Sequence, residues 1–555
     1  MHEFVRLYNE LDATTATLGK LDALKRYFRH AQSADAAWAV YFLAGGKPRQ
    51  IVSTKLLRQL SIEMAGIPEW LFDECYQAVG DFAETIALVL PPPRSESSTV
   101  LSVWMEKHII PLRNETPEKI RSALFGYWDE LEAQERFLLI KLISGAFRVG
   151  VSKLLVIRAL SELSGLDVKI IAQRMMGWTD SSLQPTAERY CMLLSAAPES
   201  ELGMRGGQPY PFFLAHPLQI HPDPQTLGEI GKWQIEWKYD GIRAQLVQRD
   251  EQRWLWSRGE DLITDRFPEI SGIALPNGTV LDGEILIWKN DRPAPFADLQ
   301  KRIGRKTLSP KMLGELPAVF MAFDLLEHRG HDIRKIVQSE RRRRLEGTVE
   351  DINAAGLLLA PLIQVADWEA LGNLRASSRA RAVEGVMLKE INAQYGMGRT
   401  KEQGVWWKWK IEPYSVDAVL IYAQPGHGRR ASLFTDYTFA VWSDTASRGE
   451  RELVPFAKAY SGLTDAEITR VDAIIRKTTV EKFGPVRRVT PAMVFEIGFE
   501  GIAPSTRHKA GVAVRFPRML RIRDDKKVDE ADTLETLRAL LKIPGETYDA
   551  EKEVC

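Results

Sequence analysis

The chain has 555 residues, 45% of them hydrophobic and 27% charged, which is enough for three or four domains with separate cores. Lys+Arg and Asp+Glu are both 74, so net charge carries no sign of a polyanionic partner and only local clustering can. Three scattered cysteines (Cys75, Cys191, Cys555) exclude a disulfide framework or a thiolate metal site, and early charges at Glu3, Arg6, Glu10 and Asp12 exclude a signal peptide. With no apolar run near the roughly 20 residues of a membrane span, a soluble intracellular protein is expected.

From 1 to 197 the apolar spacing is helical, as in Phe4, Leu7, Leu11, then Leu18, Leu21, Leu24, Phe28, and later Leu154, Ile157, Leu160, Leu163. One all-α domain is expected, interrupted by a loop at Pro91–Thr99. Within it, Ser144-Gly145-Ala146-Phe147-Arg148-Val149-Gly150-Val151-Ser152 lies between two helical runs. Glycine there permits close backbone approach, and a helix starting at Ser152 offers free N–H groups to a phosphate. By spacing alone this turn, like a second at Ala44–Gln50, is an ordinary helix connection.

A Gly/Pro-rich linker follows at 198–211. Residues 212–412 mix strand-like and helix-like runs, an α+β domain. Residues 413–540 alternate in short segments such as Val416–Tyr422, Tyr437–Trp442 and Met493–Phe499, as expected of a small β-barrel. One helix is expected inside it (465–476) and one at its end (530–541), ahead of a tail at 541–555.

The middle domain concentrates the chemistry. Trp233–Trp237 is strand-like and delivers Lys238 to a turn at Asp240-Gly241, followed by Arg243. A lysine fixed at a strand end is a candidate nucleophile, and a cationic neighbour is expected to lower its pKa. Ser257-Arg258-Gly259-Glu260 places a basic residue at a turn. Val280–Leu286 carries Asp282 and Glu284 in an apolar strand, where carboxylates need a cation. Phe323, in the apolar run Val319–Leu326, can stack on a base or simply fill the core. Val383–Lys389 holds Glu384. In Trp406-Trp407-Lys408-Trp409-Lys410 the alternation puts both lysines on one face, where they repel unless an anion lies between them. A nucleophilic lysine, carboxylates for a divalent metal, a base stack and paired lysines together fit nucleotidyl transfer.

In this order these stretches resemble the ATP-dependent DNA ligases: Lys238–Arg243, Ser257–Gly259, Asp282–Glu284, the strand around Phe323, Glu384–Lys389 and Trp407–Lys410. Arg515-Phe516-Pro517-Arg518 with Arg521–Lys526 completes the set. The resemblance implies a helical DNA-binding domain, an adenylation domain and an OB-fold. It implies that Lys238 carries AMP, that Glu236 accepts from the adenine amino group, and that Phe323 stacks on the ring. Arg243 and Glu284 fall on the ribose and phosphate side, Lys408 and Lys410 on the α-phosphate, and Arg523 and Lys526 on pyrophosphate. Arg258 belongs to the nucleotide set and to the nick 5′-phosphate. Glu284 and Glu384 are the implied ligands of Mg²⁺ (or Mn²⁺). For DNA it implies Arg148, Gly150, Lys153, Arg258, Arg515 and Arg518, and residues 487–527 hold ten Lys/Arg against four Asp/Glu. It also implies nicked duplex DNA as partner, repair, replication or recombination as setting, and a repair helicase and nuclease as companions. A cytoplasmic, nucleoid-associated bacterial monomer is expected.

Two alternatives stay open at this stage: an RNA ligase or capping guanylyltransferase sharing the site, and a non-catalytic nucleic-acid clamp. The run Arg341–Arg344 reads as a solvated helix face with i, i+4 pairing to Glu340. His216 and His427 read as loop residues, and Cys555 as a free tail thiol.

Overall fold

The computed structural model describes residues 1–541 except 49, 146, 148, 181–183, 197–205, 219–223, 304, 306–307, 403, 427–429, 431 and 444–450. Arg148, His427 and Cys555 lie outside the described residues. The chain forms two compact units. One comprises Met1–Ile51, Ser98–Pro111 and Gly145–Ile411, and the other Val52–Ser97, Leu112–Ser144 and the chain from Glu412 onward. The N-terminal helices are thus divided between the two.

In the first unit, α1 (His2–Ala13), α2 (Thr17–His30) and α4 (Lys153–Ser164) pack through apolar stripes, and α3 (Ser33–Leu43) is buried all round from Ala36 to Leu43. Phe4, Leu7, Leu11, Leu21, Leu24 and Phe28 are buried as their spacing requires, whereas Leu18, at the start of α2, stays exposed. In α4 Ile157 and Leu160 are buried as expected, and Leu155 and Val156 are buried beside them, whereas Leu154 faces solvent. Ser152 caps the helix through Leu155 N at 3.2 Å.

The central part of this unit is built on two sheets. The larger runs β3 (Gln252–Ser257), β2 (Ile242–Arg249), β4 (Thr279–Lys289), β5 (Ala318–His328), antiparallel throughout that path. The smaller runs His216–Pro217, β7 (Trp406–Lys410), β6 (Val383–Glu390), β1 (Trp233–Tyr239). β1 and β2 are consecutive but belong to different sheets, so the chain crosses between them at Asp240-Gly241. Only glycine fits there: a Cβ on Gly241 would lie 2.3 Å from the Ile285 carbonyl oxygen. Helix α5 (Gln338–Ile352) packs on the larger sheet.

The second unit holds helices at Thr54–Ala65, Glu69–Val79, Phe82–Val89, Pro117–Glu130 and Ala133–Ser144, and a β-rich C-terminal region. There β8 (Tyr414–Pro425) pairs with β9 (Phe434–Trp442) and with β11 (Val494–Phe499). β9 also pairs with β10 (Leu453–Ala459), and β11 with β12 (Arg518–Ile522). Phe439, Phe495, Ile497 and Phe499 fill the core. The expected internal helix spans Asp465–Thr478, and the terminal helix is shorter than expected, Leu534–Leu541. No helix among the described residues is long and apolar enough to cross a membrane. The expected fold class is borne out.

Candidate active site

The smaller sheet brings together one acidic and three basic side chains from three neighbouring strands. Its antiparallel registers place Gly385 opposite Lys410 and Met387 opposite both Lys408 and Glu236. The β6–β1 register shifts between Val383 and Val386, and such an irregularity re-aims the side chain inside it. That side chain is Glu384. Gly385 beside it has φ +138, and a Cβ there would lie 2.2 Å from the Trp409 carbonyl oxygen. Glu384 Oε2 lies 2.6 Å from Lys238 Nζ, and its Oε1 lies 3.2 Å from Lys410 Nζ. Lys408, on the same face as Lys410, has no carboxylate partner among the described residues, and burial with Lys238 and Lys410 nearby pushes its pKa down.

Burial alone would lower the Lys238 pKa, but Glu384, Glu284 and Asp240 more than reverse it, so the amine sits above the usual lysine value. This overturns the expectation of a lowered pKa. Arg243 exerts little leverage because its guanidinium is committed elsewhere. Its Nε and Nη2 donate to Asp282 at 3.1 and 2.7 Å, and its Nη1 donates to the Phe213 carbonyl at 2.7 Å.

The larger sheet supplies the opposite wall. Asp282 is fully buried and holds Arg243, so it is structural. Glu284, opposite Arg243 in the β2–β4 register, has no ion-pair partner among the described residues. Burial, partly countered by Lys238 and Arg243, pushes its carboxyl up to about 7. Phe323 presents its ring to Lys389 Nζ, 4.3 Å from the centroid, and to the Arg243 guanidinium at 5.4 Å.

Glu236 is buried, with partners on both carboxylate oxygens and acceptor capacity to spare. Its Oε1 accepts from Gln234 Nε2 at 2.6 Å and from Arg342 Nη1 at 3.4 Å, and its Oε2 lies 2.7 Å from Lys389 Nζ. Sequence reasoning gave neither Lys389 nor Arg342 a role. For Lys389 the available signal was a lysine closing the apolar run Val383–Leu388. For Arg342 the signal was misread, since the cationic run is only half solvated. Arg341 is fully buried, with Nε and Nη2 on Asp324 at 2.8 and 2.9 Å. Arg342 faces Glu236 and Glu346, and only Arg343 and Arg344 pair with Glu340 as expected. A buried carboxylate on an apolar strand demands a cation, and α5 turns two of its four arginines inward to supply it.

Arg258 sits exposed on the turn after β3, its N–H on the Arg243 carbonyl at 2.8 Å, its guanidinium without a partner among the described residues. Gly150 has φ +62, and the buried Lys20 ammonium donates to the carbonyls of Val149 and Gly150 at 2.9 and 3.0 Å, a brace that sequence reasoning missed. Lys153 is paired with Glu260. In the second unit Arg523 and Lys526 converge on Asp417, at 2.8 and 2.6 Å. Arg518 pairs with Glu500 at 2.8 Å and Arg515 lies over the Phe516 ring at 4.9 Å. The basic stretch is therefore partly neutralised by its own carboxylates. Among the described residues no cluster of three or more His, Cys, Asp or Glu could hold a metal ion. Glu284 and Glu384 remain a two-carboxylate oxygen donor set, of the kind Mg²⁺ uses alongside substrate phosphates.

A strand-end lysine between two sheets, near carboxylates and further lysines, has the composition that nucleotidyl transfer requires. Comparison with known proteins is consistent and specific. Residues 213–410 match the ATP dependent DNA ligase domain, 1–161 the DNA ligase N terminus, and 430–526 the ATP dependent DNA ligase C terminal region. A probable DNA ligase of Koribacter versatilis is 32% identical over 94% of this chain and 93% of its own. One of Streptomyces avermitilis is 30% identical over 96% of each. The solved structure Pmar-Lig_Pre. shares the fold, with TM-score 0.61 and 15% identity over 94% of this chain and 99% of its own. The chain belongs to the ATP-dependent DNA ligase family, whose members use ATP to seal nicks in DNA.

Proposed function

We propose that sealing runs through a lysyl-AMP intermediate on Lys238. The neutral Nζ attacks the α-phosphorus of ATP, a P–N bond forms, and the bond to pyrophosphate breaks. AMP then passes to the 5′-phosphate oxygen at the nick. The 3′-hydroxyl attacks that 5′-phosphorus, closes the phosphodiester and releases AMP. Lys408 and Lys410 hold the α-phosphate, where Lys408 offers an ammonium with no carboxylate of its own. Glu236 reads the adenine amino group, Phe323 stacks on the ring, and Arg243 and Glu284 define the ribose side. Glu284 and Glu384 would hold Mg²⁺ or Mn²⁺, whose charge would offset that developing on the phosphates. Arg258 takes the 5′-phosphate, the Gly150 turn with Arg148, Arg515 and Arg518 holds the duplex backbone, and Arg523 and Lys526 orient pyrophosphate. The observation that carries this reading is the Lys238–Glu384–Lys410 chain of contacts beside Glu284 and Lys408.

The test is intact mass spectrometry of purified protein with and without ATP. A shift of one AMP, mapped to the peptide holding Lys238 and reversed by pyrophosphate, is expected. An adduct on another residue would overturn the assignment. We further propose a monomer at the nucleoid working beside a repair helicase and nuclease. Co-purification from cells exposed to DNA damage tests that setting.

A further inference from the structure

Lys153 was expected to hold a DNA phosphate, but its bonding is already complete. An ammonium has three donors. Those of Lys153 reach both carboxylate oxygens of Glu260 and, at 3.0 Å, the carbonyl of Met175. The pair joins residues 107 apart in sequence and is largely buried, with side-chain exposures of 22% and 14%. Glu260 also accepts from the Gly177 N–H at 3.3 Å. Gly177 is packed so tightly that a Cβ would lie 3.0 Å from the Trp256 ring.

Glu260 belongs to the turn that presents Arg258. Its N–H bonds the Ser257 carbonyl at 2.9 Å, and Ser257 N bonds the Asp261 carbonyl at 2.9 Å. Glu260 holds φ +66, a left-handed conformation uncommon for a glutamate, within the hydrogen-bonded turn. Lys153 and the Gly177 N–H hold its carboxylate. Lys153 is also the first residue of α4, directly after the Gly150 turn.

We infer that Lys153 is a positioning residue: through Glu260 it fixes the Arg258 turn relative to the Gly150 turn, and so sets the distance between the duplex-backbone contact and the 5′-phosphate contact. This rests on the reading of Arg258 and the Gly150 turn as DNA contacts. Misplacement by about 1 Å can cost on the order of a hundredfold in rate. The pair therefore matters for steps at the nick, while Lys153 itself neutralises no phosphate.

The test uses full-length protein and a pre-adenylated nicked duplex, with single-turnover sealing expressed relative to self-adenylation in the same preparation. Lys153→Glu and Glu260→Lys should each lower this ratio by about tenfold to a hundredfold. The double swap should restore it to within about threefold of the parent. A swap no better than the worse single variant, or singles without effect, overturns the inference. Should the reversals fail to fold, Lys153→Met, Glu260→Gln and their combination serve instead, and the double should be no worse than either single. Additive losses would overturn the inference. Salt dependence gives a readout that a merely structural role would not predict. Lys153→Met should leave the slope of log Kd for nicked DNA against log salt unchanged, whereas loss of a direct phosphate contact would lower it by about 0.9. Arg258→Ala is the control for the underlying reading. If it seals the pre-adenylated nick at the parental rate, the nick assignment fails, whatever the swap shows.

Discussion

Lys238 Nζ lies 2.6 Å from Glu384 Oε2, so the amine proposed as nucleophile is held as an ammonium by a carboxylate that also binds Lys410. A protonated amine has no lone pair, and its raised pKa places the reactive form at higher pH. Self-adenylation should therefore rise with pH across the alkaline range. In Glu384→Gln the largest opposing charge is gone while burial remains, so the midpoint of that rise should move to lower pH even as the maximal rate falls. Rates of labelled AMP adduct formation across pH decide this. An unmoved or upward-shifted midpoint would show that Glu384 does not control the amine.

Replacing the amine should separate chemistry from binding. Lys238→Ala should form no AMP adduct while still retarding nicked duplex in a gel. Lys238→Arg should be equally inactive, because a guanidinium stays protonated at any usable pH. Full adduct in either variant would place the nucleophile elsewhere.

Glu284 predicts a pH dependence of stability. Its carboxyl is raised from an ordinary value to about 7 by burial. The folded state therefore binds the proton more tightly than the unfolded chain. The favourable contribution is complete below the unfolded pKa and is lost as pH rises through about 7. Glu284→Gln removes this loss, so at pH 8 the variant should be more stable than the parent by about 1–3 kcal/mol, with the gap closing towards pH 4. Urea unfolding at both pH values is the measurement, and a gap independent of pH would refute the assignment.

The residues proposed to act on phosphate are legible because their chemistry is conspicuous where it stands: Lys238 at a strand end, Glu384 in an apolar strand, Lys408 and Lys410 alternating with tryptophans. The partners of Glu236 and Lys153 are not, because each comes from far along the chain. Glu236 is held by Lys389 and Arg342, and nothing local marks Arg342 as inward-facing within a run of four arginines. Lys153 looked like a phosphate ligand at a helix start because Glu260 lies 107 residues away. The same limit applies to packing. Spacing locates α4 and the burial of Ile157 and Leu160, but not that Leu155 rather than Leu154 turns inward in its first turn. The division of the N-terminal helices between two units left no trace in periodicity, which reports which faces are apolar but not what covers them.

The buried pair of Glu236 and Lys389 makes a further prediction. Both side chains are almost wholly buried, and burial pushes the Lys389 ammonium down despite Glu236 and Asp324. Lys389→Met leaves the Glu236 carboxylate inside with only Gln234 and the longer Arg342 contact, and breaking a buried pair costs about 3–5 kcal/mol. Lys389→Met with Glu236→Gln removes both charges and should recover most of that loss. Thermal unfolding of the two variants tests it, and a double variant less stable than the single would mean that the pair is not the dominant interaction there.

Arg523 and Lys526 share one carboxylate, Asp417, which brings the two cations to one point on the surface of the second unit. Arg523 also pairs with Asp525 at 2.8 Å, so two cations and two carboxylates balance, and an incoming anion takes the place of a carboxylate. If that anion is the leaving pyrophosphate, it exists only while ATP reacts with Lys238 and plays no part once AMP is on the DNA. Arg523→Ala and Lys526→Ala should therefore slow self-adenylation by about 10²–10³-fold, as loss of a transition-state charge contact does, yet change sealing of a pre-adenylated nick by less than about tenfold. Asp417→Asn separates this from simple folding support. It frees Lys526 and leaves Arg523 on Asp525, removing neither cation, so it should impair self-adenylation less than either cation variant while costing stability. Equal losses in self-adenylation and in sealing for Arg523→Ala and Lys526→Ala would mean that these side chains serve the DNA rather than the leaving group.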